Sequence, residues 1–146
     1  MSVDGRVFDQ SSGRQTGMER RVAGYMGEAA WAAFLGLDLQ VSLTWDGGTD
    51  LRTPVGTVQV KSHTRAYADP LLYHKRGHPI RTDIAALAVC APGSPTVRLY
   101  GWCLREDWLA WKAPTMIGST LYDAVPASKL MAPGVLRQWI ANEVAA

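Results

Sequence analysis

The chain has 146 residues, 47% of them apolar, and a formal net charge of +2 at pH 7. This length predicts one globular domain with one core, since about 70% of the surface of such an unfolded chain can be buried on folding. No stretch reaches the roughly 18 apolar residues of a membrane span, and the polar start MSVDGRVFDQSSGRQ has no apolar signal-peptide core. We therefore expect a soluble, intracellular (cytoplasmic) protein.

The N-terminal part of the chain predicts an arm followed by a helix. Residues 1 to 16 are polar and indicate a flexible arm, which leaves a single domain over residues 17 to 146. Apolar side chains then recur at helical spacing as far as residue 35, and Gly36 supplies a C-terminal stop. The stripe expected to be buried consists of Met18, Val22, Met26, Ala29 and Ala33.

Two segments predict a β-hairpin after a first strand. Residues 37 to 45 alternate between apolar and polar side chains, as a half-buried strand does. Short strands over residues 50 to 52 and 57 to 62 follow, joined by TPVG, in which Pro54 suits the first central position of a tight turn.

The two cysteines lie in the next pair of strands. Residues 83 to 90 are apolar on both faces and predict a central strand, and residues 96 to 104 return beside it across the turn APGSP. This pairing would place Cys90 near Val97 and Cys103 near Ile84, so we expect two reduced thiols in the core.

The C-terminal third predicts two helices. Residues 105 to 113 indicate a helix, an extended piece lies near LYDAV, and Pro133 opens a final helix. The resulting fold class is α/β or α+β, a mixed central sheet flanked by helices in the core order αβββ…ββ. One side of the final helix is expected to carry Leu136, Trp139, Ile140 and Val144, and Trp108, Trp111 and Trp139 are expected in the core, with a base-stacking or dimer surface as the alternative.

The hairpin gathers polar groups on one face. Residues two apart in a strand share a face, so Val58 and Val60 should enter the core while Gln59 and Lys61 face the other way. Asp50 lies on the partner strand, within reach of both. A carboxylate and a carboxamide form the incomplete oxygen shell that Mg²⁺ accepts, and a nearby ammonium stabilises the charge that develops in phosphodiester hydrolysis.

Asp50 followed by Gln59-Val60-Lys61 resembles the PD-(D/E)XK nuclease superfamily, which has a restriction-endonuclease-like fold. The helix segment GYMGEAAWAAFLG resembles the GxxxE element of its Holliday junction resolvase and phage endonuclease branches, with Gly24 and Glu28 at the matching positions. The resemblance implies that Asp50, Gln59 and Glu28 bind Mg²⁺ or Mn²⁺ and that Lys61 is the catalytic lysine.

This sequence departs from the family pattern at two positions. Thr49 replaces the proline before Asp50, and Gln59 replaces the usual acid, as in the QxK variant. Because Gln59 is neutral, the affinity of the site for metal should depend more on Glu28 or on another acid such as Asp46. The resemblance implies a metal-dependent DNA endonuclease, with branched or junction DNA as a candidate substrate and a phage as a candidate source, and a homodimer if both strands are cut.

A basic segment over residues 65 to 81 is the expected DNA contact. It carries four fixed cations against Asp69, and the three histidines, including His63, lie in or beside it. Such charges hold a phosphate backbone without reading sequence. The candidate DNA-binding residues are Arg65, His74, Lys75, Arg76 and Arg81, and a zinc site at His74 and His78 is the less favoured interpretation.

Two other functions stay open. Gln59 would mark lost catalysis in a DNA-binding or assembly module that keeps the nuclease fold. A small dimeric scaffold that uses its tryptophans would show no salt-dependent DNA binding.

Overall fold

The computed structural model describes residues 13–38, 50–64, 69–91 and 93–146, and the side chains of these residues from 21 onward except that of Asp50. Its elements are α1 (Gly13–Leu35), β1 (Asp50–Thr53), β2 (Gly56–His63), β3 (Leu71–Lys75), β4 (Ile84–Val89), β5 (Arg98–Leu104), α2 (Arg105–Trp111), β6 (Ala113–Ile117), β7 (Thr120–Pro126), a 3₁₀ turn (Ala127–Lys129) and α3 (Pro133–Ala145). No helix among these residues is long and apolar enough to cross a membrane.

The described strands form two sheets and confirm the predicted α+β class. The main sheet has the order β1-β2-β4-β5, in which β2 and β4 are parallel and the other neighbours antiparallel. The second sheet has the order β3-β7-β6 and is antiparallel throughout. The chain leaves the main sheet after β2, adds β3 to the second sheet and returns as β4.

Strand β4 is buried along its whole length, as its uninterrupted apolar sequence predicted. Ala86 and Ala88 on one face belong to the core that α1 and α3 cover. Ala85 and Leu87 on the other face belong to a second core with the inner face of the second sheet and Trp108 of α2. The main sheet therefore lies between two helices on one side and the second sheet with α2 on the other.

The buried stripe of α1 differs from the predicted one. Val22 is 49% exposed and Ala33 is also exposed. A Cβ at Gly27 would collide with the Ser62 hydroxyl and lie 3.2 Å from the Cβ of Ala88. Gly27 lets this face of the helix approach the sheet closely, and the larger Trp31 and Leu35 on the same face fill the core. The buried residues are Ala23, Gly27, Trp31, Ala32 and Leu35.

Helix α1 ends at a glycine. Its described part runs from Gly13, so it includes residues 13 to 16 of the predicted arm; residues 1 to 12 of that arm lie outside the described residues. At its other end Gly36 has φ +74°, and the N–H groups of Gly36 and Leu37 donate to the carbonyls of Ala33 and Ala32. This is the glycine stop predicted from the sequence. The strand predicted over 37 to 45 lies outside the described residues from residue 39 onward.

The predicted pairing of β4 with β5 holds only near the turn. Val89 faces Arg98, which keeps Cys90 beside Val97, but Cys103 faces Ala85 and not Ile84. The register shifts by one residue because Leu87 pairs with Gly101 while Ala88 pairs with Leu99, so Tyr100 is the extra residue of a β-bulge. Both cysteines are buried and free, as predicted.

The C-terminal third contains more strand than predicted. The extended piece at LYDAV is β7, and β6 directly before it was not predicted. Helix α3 begins at Pro133 as predicted and buries Leu136 and Ile140. Trp139 is 37% exposed and stacks on Trp102, and Val144 is exposed, so the predicted apolar side of α3 is only half buried.

Candidate functional site

The β1–β2 hairpin pairs the two short strands that the sequence predicted. Its turn is fixed by Thr53, whose hydroxyl accepts from the N–H of Val55 at 3.0 Å and donates to the carbonyl of Gly56 at 2.8 Å. From this turn the pairing runs back to Asp50, which faces Gln59 directly. Directly facing positions of an antiparallel pair lie on the same side of the sheet, so these two positions share one face.

Strand β2 separates its apolar and polar side chains as predicted. Val58 and Val60 are buried in the core under α1 and α3. Gln59 and Lys61 alternate with them and are half-buried on the opposite face. The position of Asp50 and the side chains of Gln59 and Lys61 therefore lie on the face that turns toward the second sheet.

Glu28 approaches this strand from the other face. It is half-buried on α1, which packs on the Val60 side of the main sheet. Gly27 lies against Ser62. Glu28 and Lys61 are the chain neighbours of these two residues. Gly24, in contrast, has nothing within 4 Å of its Cβ position, so Gly27 is the glycine that permits the approach.

The residue types at the facing positions fit a hard cation. Asp50 and Gln59 would offer one carboxylate and one carboxamide oxygen, and Mg²⁺ is often held by one or two protein oxygens with water completing its shell. Among the residues whose side chains are described, no three or more His, Cys, Asp or Glu side chains form a group that could hold a metal ion. Asp46 lies outside the described residues.

Hydrogen bonds at the start of β2 hold this strand beside β4. The carboxylate of Asp83 accepts from the N–H and the hydroxyl of Thr57 at 3.0 and 3.1 Å. These hydrogen bonds lower the pKa of Asp83. They hold the start of β2, the strand that carries Gln59 and Lys61, beside the parallel strand β4. The sequence did not indicate these bonds, because Thr57 and Asp83 are 26 positions apart.

The second sheet turns two polar residues toward the same face. Leu72 and Val125 face each other across β3 and β7 and belong to the core beneath the main sheet. His74 and Asp123 lie two residues further along these strands, face each other, and so continue the same inner face. This polar end of the inner face lies near Lys61, whose charge adds to the larger effect of burial in lowering the pKa of His74.

Asp123 holds two cations that come from opposite sides of its strand. Its oxygens lie 3.6 Å from Nε of Arg76, which follows β3, and 3.4 Å from Nζ of Lys112, which precedes β6. Neither Lys112 nor Asp123 was a sequence candidate. The available signal was a lone acid in the apolar strand LYDAV. We call the following residues the junction cluster: Lys61, His74, Arg76, Lys112 and Asp123.

His63 beside the junction cluster and His74 within it both have lowered pKa values. Burial, with a further contribution from the charge of Lys61, lowers the pKa of His63 to about 4. The pKa of His74 is also about 4, from burial and then from Lys61 and His78. The Nε2 atoms of His63 and His74 are buried and have no hydrogen-bond partner among the described residues. Both imidazoles are therefore neutral at pH 7.

The basic segment is not the simple loop that its composition suggested. Its middle forms β3, whose last residue Lys75 is exposed, as are Arg76, His78 and Arg81. The carbonyl of Arg81 accepts from the guanidinium of Arg105 at 3.2 Å, which fixes the chain just before β4. Arg65 lies outside the described residues.

Comparison with known proteins adds no relative. No protein-family model, no curated protein and no solved structure matches this chain.

Proposed function

We propose that the protein is a metal-dependent DNA endonuclease that hydrolyses phosphodiester bonds. The observation that carries the proposal is the hairpin register, in which Asp50 faces Gln59 and Lys61 lies two residues further on the same face. This is the spacing of the PD-(D/E)XK motif, with Gln59 in place of its usual acid. The contact of Gly27 with Ser62 brings the start of the GEAAW segment to the strand that carries Lys61, but on the opposite face, so the proposed role of Glu28 rests on the resemblance.

Asp50 and Gln59 are the proposed metal ligands, with Glu28 as the further acid. A bound Mg²⁺ or Mn²⁺ would polarise the phosphodiester and lower the pKa of an attacking water. Gln59 contributes an oxygen but no charge, so the negative charge of the site would come from Asp50 and Glu28.

Lys61 is the proposed catalytic lysine. Its side chain is half-buried on the face that Asp50 and Gln59 share, where the dielectric is lower than in water and a positive charge acts more strongly. An ammonium there would stabilise the attacking hydroxide and the charge that gathers on the phosphate oxygens in the transition state.

The proposed substrate is DNA held through its backbone by the exposed cations that follow β3. Since one such site cuts one strand, two copies of the chain would be needed to cut both, and we propose a homodimer. Branched or junction DNA is the proposed substrate form, by resemblance to the resolvase branch, and the reaction would take place inside the cell.

A cleavage panel tests the proposal. Purified protein is incubated with linear duplex, single-stranded and four-way-junction DNA, each with Mg²⁺, Mn²⁺ or EDTA. We expect cleavage of at least one form with metal and none with EDTA. Asp50→Asn and Lys61→Met should each abolish it, while Asp38→Asn and Lys129→Met, the same substitutions at exposed positions elsewhere, should retain it.

The outcomes separate the candidate functions. Cleavage that persists in Asp50→Asn and Lys61→Met would mean that the site is wrong or the activity is a contaminant. Salt-dependent binding without cleavage would instead indicate a DNA-binding module in which Gln59 has ended catalysis. A protein that neither binds nor cleaves DNA would instead have a structural role.

A further inference from the structure

We propose that the junction cluster binds a phosphate group of a nucleic-acid strand next to the hydrolytic site. The inference rests on the proposed function for the identity of the polymer. It adds Lys112 and Asp123, which lie outside the basic segment, to the proposed binding position. The cluster draws its residues from four places in the chain, which the second sheet and β2 of the main sheet bring together.

The arrangement of charges favours an anion. Lys61, Arg76 and Lys112 are three fixed cations, and Asp123 is the one carboxylate of the cluster. Asp123 is nearly buried, with 12% of its side chain exposed, whereas the side chains of Arg76 and Lys112 are 50% and 37% exposed. The carboxylate therefore lies beneath the two cations, and their charged ends remain open to a ligand.

The ion pairs of Asp123 leave donors for that ligand. The distances of 3.6 Å to Arg76 and 3.4 Å to Lys112 are longer than the roughly 2.7–2.9 Å of a strong charge-assisted hydrogen bond. A guanidinium has five N–H donors and an ammonium three, so one loose contact uses few of them. We infer that Asp123 positions the two cations and that their remaining donors bind phosphate oxygens.

The position of the cluster relates it to the hydrolytic site. Lys61 belongs to both, since it is on the Gln59 face of β2 and its charge reaches His74 of β3. His74 in turn faces Asp123 across the β3–β7 pair. A strand whose scissile phosphate met Asp50 and Gln59 would therefore have a flanking phosphate near Arg76 and Lys112.

The salt dependence of DNA binding tests this site. Binding is measured by fluorescence anisotropy in EDTA, without cleavage, for the wild type, for R76Q/K112Q and for the matched control K129Q/R137Q. The control removes the same charge from exposed positions, one of them on α3, whose core lies on the opposite face of the main sheet. We expect the slope of log Kd against log salt to fall by about 2 in R76Q/K112Q, because each lost phosphate contact removes about one unit.

Two DNA forms distinguish the source of the phosphate. One is a duplex closed by hairpins at both ends, and the other is an open duplex with 5′-phosphates. A loss of slope on both forms would assign the cluster to internal phosphodiesters, and a loss on the open duplex alone would assign it to a terminal phosphate. A slope equal to that of K129Q/R137Q on both forms would overturn the inference.

The same proteins show which of the two proposals fails. A wild type that binds through Arg76 and Lys112 but never cleaves with Mg²⁺ or Mn²⁺ would refute the nuclease and keep the phosphate site. A wild type that cleaves, with R76Q/K112Q unchanged in slope, would refute the phosphate site and keep the nuclease.

Discussion

The imidazole of His63 stacks face to face on the ring of Tyr73, with the ring centroids 3.7 Å apart and the planes within 4° of parallel. The ring centroids of Tyr73 and Tyr122 lie 4.9 Å apart, so a row of three rings connects the end of β2 to the second sheet. This packing buries His63, and burial with the nearby charge of Lys61 holds its pKa at about 4. Protonating this imidazole therefore costs stability.

The protein is expected to lose stability as the pH falls from about 6.5 to about 4. In this window the unfolded chain binds a proton at residue 63 and the folded protein does not, so the free energy of unfolding decreases toward acid. The slope from His63 is at most about 1.4 kcal/mol per pH unit, and its total about 3 kcal/mol. His74 adds a smaller effect of the same sign, because its partial exposure screens the charge.

Urea unfolding at half-unit pH steps measures this dependence. His63→Gln should flatten the curve between pH 4 and 6.5, whatever its effect on stability at pH 7.5. Ser119→Gln is the control, because Ser119 is exposed in the β6–β7 turn and carries no titratable group, so its substitution should leave the slope unchanged. Equal slopes in wild type and His63→Gln would contradict the assignment.

Gly27→Ala should destabilise the protein although alanine favours helix. The new Cβ would meet the hydroxyl and Cβ of Ser62 and the Cβ of Ala88. Overpacking of this kind costs about 1–3 kcal/mol, against about 1 kcal/mol gained in helix propensity. Gly24→Ala is the matched control one turn earlier. It has nothing within 4 Å of its Cβ position, so it should stabilise the protein by up to about 1 kcal/mol.

Ser62 decides whether that explanation is right. Its hydroxyl is buried without a hydrogen-bond partner among the described residues, so Ser62→Ala should be neutral or slightly stabilising. In Gly27→Ala/Ser62→Ala the closest collision is gone, and part of the lost stability should return. Thermal melts of the four variants would contradict the packing argument if Gly24→Ala and Gly27→Ala behaved alike.

The hairpin that carries the candidate site was predictable because its signals are local. The alternation of Val58 and Val60 with polar residues fixes the face of each side chain, and Pro54 fixes the turn. Together they determine the register that sets Gln59 against Asp50. The burial of β4 was predictable for the same reason, since an uninterrupted apolar run needs cover on both faces.

The second sheet and the junction cluster were not predictable from local signals. Strand β3 ends in His74 and Lys75, whose polar composition is also typical of a loop. Strand β6 contains Pro114, and proline is uncommon inside strands. Asp123 acquires its partners only through long-range pairing. Helix α1 is rich in alanine, so several sets of its residues have helical spacing. The buried set is the one that includes Gly27, where the helix lies close to the sheet.

Gln59→Glu should increase the affinity of the proposed site for metal. A carboxylate in place of the carboxamide adds one negative charge facing Asp50, and an attraction of one to two kcal/mol lowers the half-saturating Mg²⁺ concentration on the order of tenfold. Gln138→Glu, on the exposed face of α3, is the matched control and should leave it unchanged. Metal titrations of cleavage, with Mn²⁺ calorimetry as a second readout, measure both variants. Identical metal dependence in both would contradict the role of Gln59 as a ligand.

Asp123→Asn should cost only about 1 kcal/mol of stability, although removing one partner of a fully buried ion pair costs about 3–5 kcal/mol. The reason is that Arg76 and Lys112 are half exposed, so water solvates them once the carboxylate is lost. The difference from wild type should shrink in 1 M NaCl, which screens exposed charges. Urea unfolding at low and high salt measures it, with exposed Glu143→Gln as the control, expected within about 0.5 kcal/mol of wild type. A loss above about 3 kcal/mol that salt does not change would mean that the cations depend on Asp123 for burial, and the open arrangement argued for the junction cluster would be wrong.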